Sequence, residues 1–101
     1  MQSSVTLING FAVLRDKEDE FMQLCNQTAH LMKQKPGFMD TKLHRSLNAG
    51  TRFQFVNIAH WENQETWQQA IASNPELQNW WSRIALLAEA SPALYKVEVQ
   101  D

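Results

Sequence analysis

Apolar and polar positions in the first third of the chain follow two different periods. Residues 5–13 (VTLINGFAV) alternate in strand period. Asp16 then precedes a mostly acidic turn, and apolar or small residues recur at helical spacing from Phe21 to Met32. The pair Pro36-Gly37 is typical of a helix end. The pattern therefore predicts a strand and then a helix whose N-terminus is capped by Asp16.

Two further strands are predicted in the middle of the chain. Phe38 to Arg45 forms the first of these, and Phe53 to Trp61 forms the second. Between them, Asn48 and Gly50 favour a hairpin-type reversal. These two strands are therefore expected to pair antiparallel.

The last third of the chain predicts two helices and a strand. Asn63 is expected to cap a short helix that ends at Ala72, and Pro75 is placed in the first turn of a helix that runs to about Ala88. Pro92 is expected to close that segment, and residues 93–99 (ALYKVEV) alternate as a final strand.

This order of elements predicts an α+β fold of the ferredoxin-like, split βαβ type. Such a fold has a four-stranded antiparallel sheet with helices on one face. The other face then needs cover, and a second copy packed face to face would supply it, which predicts a homodimer with a barrel-like centre.

Length and charge exclude several classes of partner. The 101 residues, 44% of them hydrophobic, are expected to form a single domain over residues 1–101. The net charge of −2 and the absence of a basic stripe argue against nucleic acid and an acidic membrane as partners. The sequence has no apolar run of membrane-spanning length and its first residues do not resemble a secretory signal, so we expect a cytoplasmic protein.

Cysteine and histidine give no metal site. The single cysteine, Cys25, lies on the apolar side of its helix and is interpreted as a buried small residue rather than a reactive thiol. The histidines His30, His44 and His60 have no helical i,i+4 spacing and no carboxylate that completes a ligand set. No metal is therefore predicted.

The third predicted strand carries an unusual face. Asn57 and Trp61 alternate with Phe53, Phe55 and Ala59, so an amide and an indole share an otherwise apolar face. Asn9 holds the same kind of position on the first strand. Each of these side chains also has a structural interpretation. Trp61 can be a residue of the core, and each asparagine can serve only as the hydrogen-bond partner of a neighbouring backbone group.

Four segments together resemble the antibiotic biosynthesis monooxygenase family, which consists of small oxygenases of the dimeric α+β barrel type. They are VTLINGFAV at the start, PGFMDTKLHRSL (Pro36 to Leu47), RFQFVNIAHWENQETWQQA (Arg52 to Ala70) and PALYKV (Pro92 to Val97). The resemblance covers essentially the whole chain. It implies a cavity between sheet and helices, a small aromatic substrate, O2 as co-substrate and no cofactor.

The resemblance also implies roles for individual residues. Asn57 and Trp61 match the asparagine and tryptophan that contact substrate in the quinone-forming members, and Asn9 matches an asparagine of the same wall in the haem-degrading branch. These three are the predicted catalytic residues. In a dry pocket, their N–H groups can stabilise the oxyanion of a phenol or anthrone, which then reduces O2 itself.

Further residues are predicted to bind the substrate. Phe55, Trp67 and Trp80 offer flat aromatic walls. Arg83 is a candidate for binding a carboxylate or phenolate, or else an exposed helix-face arginine. His44 is a candidate base if its strand face borders the pocket.

Three other functions stay open at this point. A haem-degrading monooxygenase needs a histidine on the later helix, where this sequence has Trp80 and no histidine follows Trp61. A dimer that binds a small ligand without turnover would have the same aromatic walls. Some barrel relatives also process aldehydes or signals.

Overall fold

The sheet has four strands in the part of the chain that the computed structural model describes, residues 4–100. The strands are β1 (Val5–Val13), β2 (Phe38–Arg45), β3 (Phe55–Trp61) and β4 (Ala88–Tyr95). They pair antiparallel in the order β2-β3-β1-β4, so β1 and β3 are central and β4 is an edge.

Three helices connect the strands within these residues: α1 (Glu18–Met32), α2 (Gln64–Ala72) and α3 (Pro75–Ala85). Asn63 caps α2 by accepting from the Thr66 N–H at 2.9 Å, as predicted. Asn74 caps α3 in the same way, with Pro75 in the first turn. None of the helices in residues 4–100 is long and apolar enough to cross a membrane.

The helices cover one face of the sheet through two separate apolar clusters. The first cluster joins Phe11 and Phe55 to Phe21, Leu24 and Ile84 of the helices. The second cluster lies at the other end of the central strands and consists of Met32, Trp61, Ala70 and Leu77. The predicted α+β, ferredoxin-like architecture is confirmed.

The opposite face of the sheet, which we call the open face, carries no helix of the described chain. Ile8 and Ile58 are paired directly across β1 and β3, and Val56 lies beside them. These three side chains are only partly buried. At the β2 edge of the same face, His60 contacts Asp40 at 2.6 Å.

The start of the first helix differs from the prediction. Asp16 lies inside a 3-10 turn, Arg15–Lys17, and α1 then begins at Glu18 without any side-chain cap. The predicted cap is wrong because the turn places Lys17, not Asp16, next to the first helical residue. The acidic first turn of α1 still lies where it favours the helix dipole.

The third strand begins at Phe55, two residues later than predicted. The Val13 N–H donates to the side-chain oxygen Oε1 of Gln54 at 2.9 Å. This bond takes the place of a backbone hydrogen bond between β1 and the predicted start of β3. The prediction that Phe53 shares the face of Phe55 is also wrong. Its ring covers Gly10 on the open face, and a Cβ on Gly10 would meet the ring at 2.7 Å.

The final helix and strand also end and begin earlier than predicted. α3 ends at Ala85, and β4 spans Ala88–Tyr95 with Pro92 inside it. Proline is accepted here because β4 is an edge strand, where only one side of the backbone is paired. Residues 96–99, which the alternation assigns to the strand, lie outside it.

Candidate functional site

Asn9 and Asn57 lie directly opposite each other on the two central strands, and we call them the amide pair. Cross-strand partners share a face, and theirs is the helix-covered face of Phe11 and Phe55. Antiparallel pairing brings such side chains to about 5 Å from each other at Cβ. The structure therefore places two predicted site residues side by side.

Both amide oxygens of the pair accept hydrogen bonds from the protein. The Thr41 hydroxyl donates to Asn57 Oδ1 at 2.9 Å, and the backbone N–H of Ser91 donates to Asn9 Oδ1 at 3.1 Å. For the two NH2 groups, the described part of the chain supplies no acceptor. The amide pair thus presents donors only.

The amide pair lies between the two apolar clusters. Asn9, Asn57 and Leu7 remain partly exposed although they occupy the middle of the helix-covered face of the central strands. On the same face of β4, Ala90 and Pro92 are exposed. We call this partly exposed strip between the two clusters, above the amide pair and toward β4, the gap.

Trp61 closes one end of this gap as a fully buried residue. It is 0% exposed and packs edge-on against Phe38, with ring centroids 5.3 Å apart. Its indole N–H and that of Trp67, which packs on the same cluster, are buried with no hydrogen-bond partner among residues 4–100. A buried donor without an acceptor costs about 1–3 kcal/mol, so each of these N–H groups would gain from an acceptor that entered the cluster.

The other predicted substrate contacts lie at the opposite end of the gap. Phe55 is 1% exposed and packs against Phe21, with ring centroids 5.1 Å apart. Trp80 packs on the same cluster from α3, and the exposed Arg83 guanidinium lies 4.7 Å from the centre of the Trp80 ring. Arg83 therefore contacts an aromatic side chain rather than an acid.

Trp80 and Trp81 occupy adjacent positions of α3, and both are partly buried and pack on the first cluster. Trp81 also packs on the second cluster and so spans the gap from the helix side.

His44 does not join this site. It is exposed on the open face of β2, opposite Val56, and its Nδ1 lies 3.3 Å from the Val56 carbonyl oxygen. Over residues 4–100, no group of three or more histidine, cysteine or acidic side chains is arranged to hold a metal ion.

Cys25 is packed against the first cluster and partly buried. Burial raises the pKa of the Cys25 thiol to about 12, because the thiolate would lose its hydration. The interpretation of Cys25 as a packing residue fits this environment.

Thr41 is the site residue that the sequence reasoning missed. A β-bulge between Phe38 and Asp40 shifts the alternation of β2, so that Phe38, Thr41 and Leu43 all meet the helix-covered face. Strict alternation puts Phe38 and Thr41 on opposite faces. The available signal was that the polar Thr41 alternates with the apolar Met39 and Leu43, but its partner depended on the register.

A shallow depression of about 390 Å³ lies away from the amide pair, at the far end of β1. It is lined by Ala12, Leu14 and residues 85–89. None of the candidate site residues contributes to it.

Comparison with protein families gives one match, to the antibiotic biosynthesis monooxygenase model, over residues 4–81. No curated protein sequence gives a significant match. Among solved structures, a candidate monooxygenase from Shewanella loihica PV-4 is 31% identical, with 99% of both chains covered and a TM-score of 0.81.

Two more distant structures share the fold. SnoaB of Streptomyces nogalater, a cofactor-independent oxygenase, is 23% identical, with 97% of this chain and 96% of SnoaB covered and a TM-score of 0.84. A candidate antibiotic biosynthesis monooxygenase from Bordetella bronchiseptica is 17% identical, with 97% and 100% covered and a TM-score of 0.80.

Proposed function

The chain belongs to the antibiotic biosynthesis monooxygenase family, and on this basis we propose that it is a cofactor-independent monooxygenase of a small, electron-rich aromatic substrate such as a phenol or anthrone. The observation that carries the proposal is the donor-only amide pair between two apolar clusters. A gap with this lining favours a flat apolar molecule that carries an anionic oxygen.

The proposed chemistry uses the substrate as its own reductant. Loss of a proton from the hydroxyl or ring carbon gives an anion, which transfers one electron to O2 and leaves a substrate radical and superoxide. Their combination gives a peroxide anion on the ring carbon, and return of the proton lost in the first step converts it to a hydroperoxide. Loss of water from this hydroperoxide leaves a carbonyl, so that one oxygen atom enters the product and the other leaves as water.

The protein's part in this reaction is electrostatic. Asn9 and Asn57 donate to the developing oxyanion, and the buried N–H of Trp61 supplies a third donor at the end of the gap. One such donor lowers a barrier by about 2.7–4 kcal/mol when it is fixed in place. The walls at Phe55, Trp67 and Trp80 exclude water from the ring.

SnoaB supports the proposal, since it shares the fold and is a cofactor-independent oxygenase. Haem degradation is less well supported. His44 and His60 lie on the open face, and His30 is exposed on α1, so no described histidine faces the gap as an iron ligand.

We also propose that two copies associate through their open faces. Ile8, Val56 and Ile58 form an apolar centre on this face, and charged Asp40 and Lys42 lie on its β2 edge. A surface of this kind can pack on itself around a two-fold axis. The gap is on the other face and stays accessible in such a dimer.

The test is oxidation of an anthrone panel in air by the metal-free, flavin-free protein. We expect quinone to form with wild type and to be lost in Asn57→Ala and Trp61→Phe. Asn26→Ala, an exposed asparagine on α1, is the matched control and keeps wild-type activity. Binding of the panel without turnover favours a non-catalytic ligand-binding role, and quinone formation unaffected by Asn57→Ala contradicts the proposed site.

A further inference from the structure

We propose that Thr41 is a positioning residue that restrains the Asn57 amide with its NH2 group directed into the gap. The inference rests on the proposed function and adds to it a residue outside the predicted set. Its basis is the 2.9 Å bond from the Thr41 hydroxyl to Asn57 Oδ1, between neighbouring strands β2 and β3.

A primary amide such as Asn57 has two nearly isosteric ends with opposite polarity. Rotation by 180° about its last side-chain bond exchanges an acceptor oxygen for a donor NH2 at the same place. Only one of the two orientations suits an oxyanion in the gap. A hydroxyl can pair with either end of an amide, and in this structure the Thr41 hydroxyl donates to the oxygen, so it restrains the rotation that would bring this oxygen into the gap.

The two members of the amide pair are oriented by different groups. Asn9 is held by the Ser91 backbone N–H, which donates and cannot accept, so its NH2 group is turned away from β4. Asn57 is held by a hydroxyl, which is the only side-chain partner of its oxygen in residues 4–100. The orientation of Asn57 therefore depends on a side chain that a single substitution can remove.

Loss of the Thr41 hydroxyl leaves Asn57 Oδ1 without a donor. The amide is then free to turn its oxygen into the gap, where it repels an anion. Thr41→Val preserves shape and strand preference and removes only the hydroxyl, whereas Thr41→Ser restores it. Thr51→Val is the matched control, because Thr51 is exposed in the β2–β3 reversal and its hydroxyl donates to the Asn48 carbonyl.

The first measurement is made on ligand-free protein by nitrogen-15 relaxation of the Asn57 side-chain NH2. Thr41→Val is expected to increase the fast motion of this group, and Thr41→Ser and Thr51→Val to leave it as in wild type. An unchanged Asn57 amide in Thr41→Val overturns the proposal. This readout does not depend on oxygenase activity, so it separates the role of Thr41 from the proposed function.

The second measurement uses 2-hydroxyanthraquinone, an already oxidised phenol whose neutral and ionised forms absorb at different wavelengths. Wild type is expected to prefer the bound phenolate, and Thr41→Val to weaken that preference by about three- to tenfold, which is the effect of one hydrogen bond. Thr41→Ser restores the preference. In an Asn57→Ala background, Thr41→Val is expected to add nothing.

An equal effect of Thr41→Val with and without Asn57 overturns the proposal, because Thr41 then acts by another route. Wild-type protein that shows no preference for the phenolate contradicts the proposed function instead, whatever the relaxation data show for Thr41.

Discussion

Asn9 and Asn57 face each other across the central strands, and each has its amide oxygen occupied by a donor from the strand on its outer side. This arrangement orients both NH2 groups toward the space between two apolar clusters. A polar pair in the middle of a sheet is costly unless its groups are satisfied. Here the protein satisfies the acceptors, and residues 4–100 supply no acceptor for the donors.

Replacing Asn57 with aspartate tests whether the site requires a hydrogen-bond donor, rather than an acceptor, at this position. Asn57→Asp retains the size and can still accept from Thr41, but it replaces the donor with a negative oxygen. We expect anthrone oxidation to fall by at least about 10²–10³-fold, the value of one oxyanion donor. Steady-state rates in air measure the loss. Asn26→Asp adds the same charge on exposed α1 and should have no effect; comparable losses in both variants would point to net charge instead.

Two substitutions of Trp61 distinguish its proposed role in catalysis from its contribution to stability. Trp61→Phe removes an N–H that has no partner in the described chain, so the loss of ring volume is partly offset by the removal of an unsatisfied donor. We expect oxidation to fall at least about tenfold while the free energy of unfolding changes by less than about 1.5 kcal/mol. Trp61→Ala should cost about 3–5 kcal/mol. Urea denaturation gives these free energies, and a Trp61→Phe enzyme with full activity would remove Trp61 from the donor set.

The partly buried thiol of Cys25 is expected to make the free energy of unfolding fall at alkaline pH. The folded thiol has its pKa raised from 9.0 to about 12 by burial, so the folded state retains a proton that the unfolded state loses. Between these values the unfolded state binds fewer protons, and stability falls as pH rises. Urea midpoints of wild type and Cys25→Ala, compared from neutral pH to about pH 11, should show a steeper decline for wild type. Parallel curves would show that the thiol does not contribute.

Gly37 is required by both its conformation and its surroundings. It has φ +84°, and a Cβ there would overlap the Thr66 side chain at the start of α2. Gly37→Ala should therefore cost more than the ~1–2 kcal/mol of a left-handed residue alone. Gly50→Ala, whose added Cβ would lie 3.8 Å from Asn48 Oδ1, should cost less than about 0.5 kcal/mol. Thermal unfolding of both variants tests the contrast, which equal shifts would refute.

Ile58 tests the proposed dimer. Ile58→Lys places a charge opposite Ile8 at the centre of the open face, and a two-fold axis would bring two such charges together. Sedimentation velocity should show a dimer for wild type and a folded monomer for the variant. Leu47→Lys, at a fully exposed apolar residue in the β2–β3 reversal, should leave the dimer intact. A monomeric wild type would contradict the proposed association.

Several elements follow from local sequence signals alone. The bounds of β1 and β2, the Asn63 cap and the proline in the first turn of α3 agree with the predictions. Each depends on side chains a few residues apart, whose preferences do not require the rest of the fold. The shared face of Asn57 and Trp61 also follows, because strand alternation fixes it.

Other features depend on partners distant in the chain. Pro92 indicated the end of a helix segment, but β4 pairs through it because the strand occupies an edge. Phe53 leaves its predicted strand face because Gln54 satisfies the Val13 N–H and the Phe53 ring covers Gly10. Thr41 joins the site because a bulge shifts β2 by one residue.

The sequence by itself determined the type and order of the elements, the α+β class and the face on which Asn9, Asn57 and Trp61 lie, since periodicity and capping act over a single turn or strand. Only the tertiary structure decided that Asn9 is the cross-strand partner of Asn57, that Thr41 and Ser91 occupy their oxygens, and that His44 is on the other face. Strand register sets these relationships, and register depends on the packing of residues up to 82 positions apart in the chain.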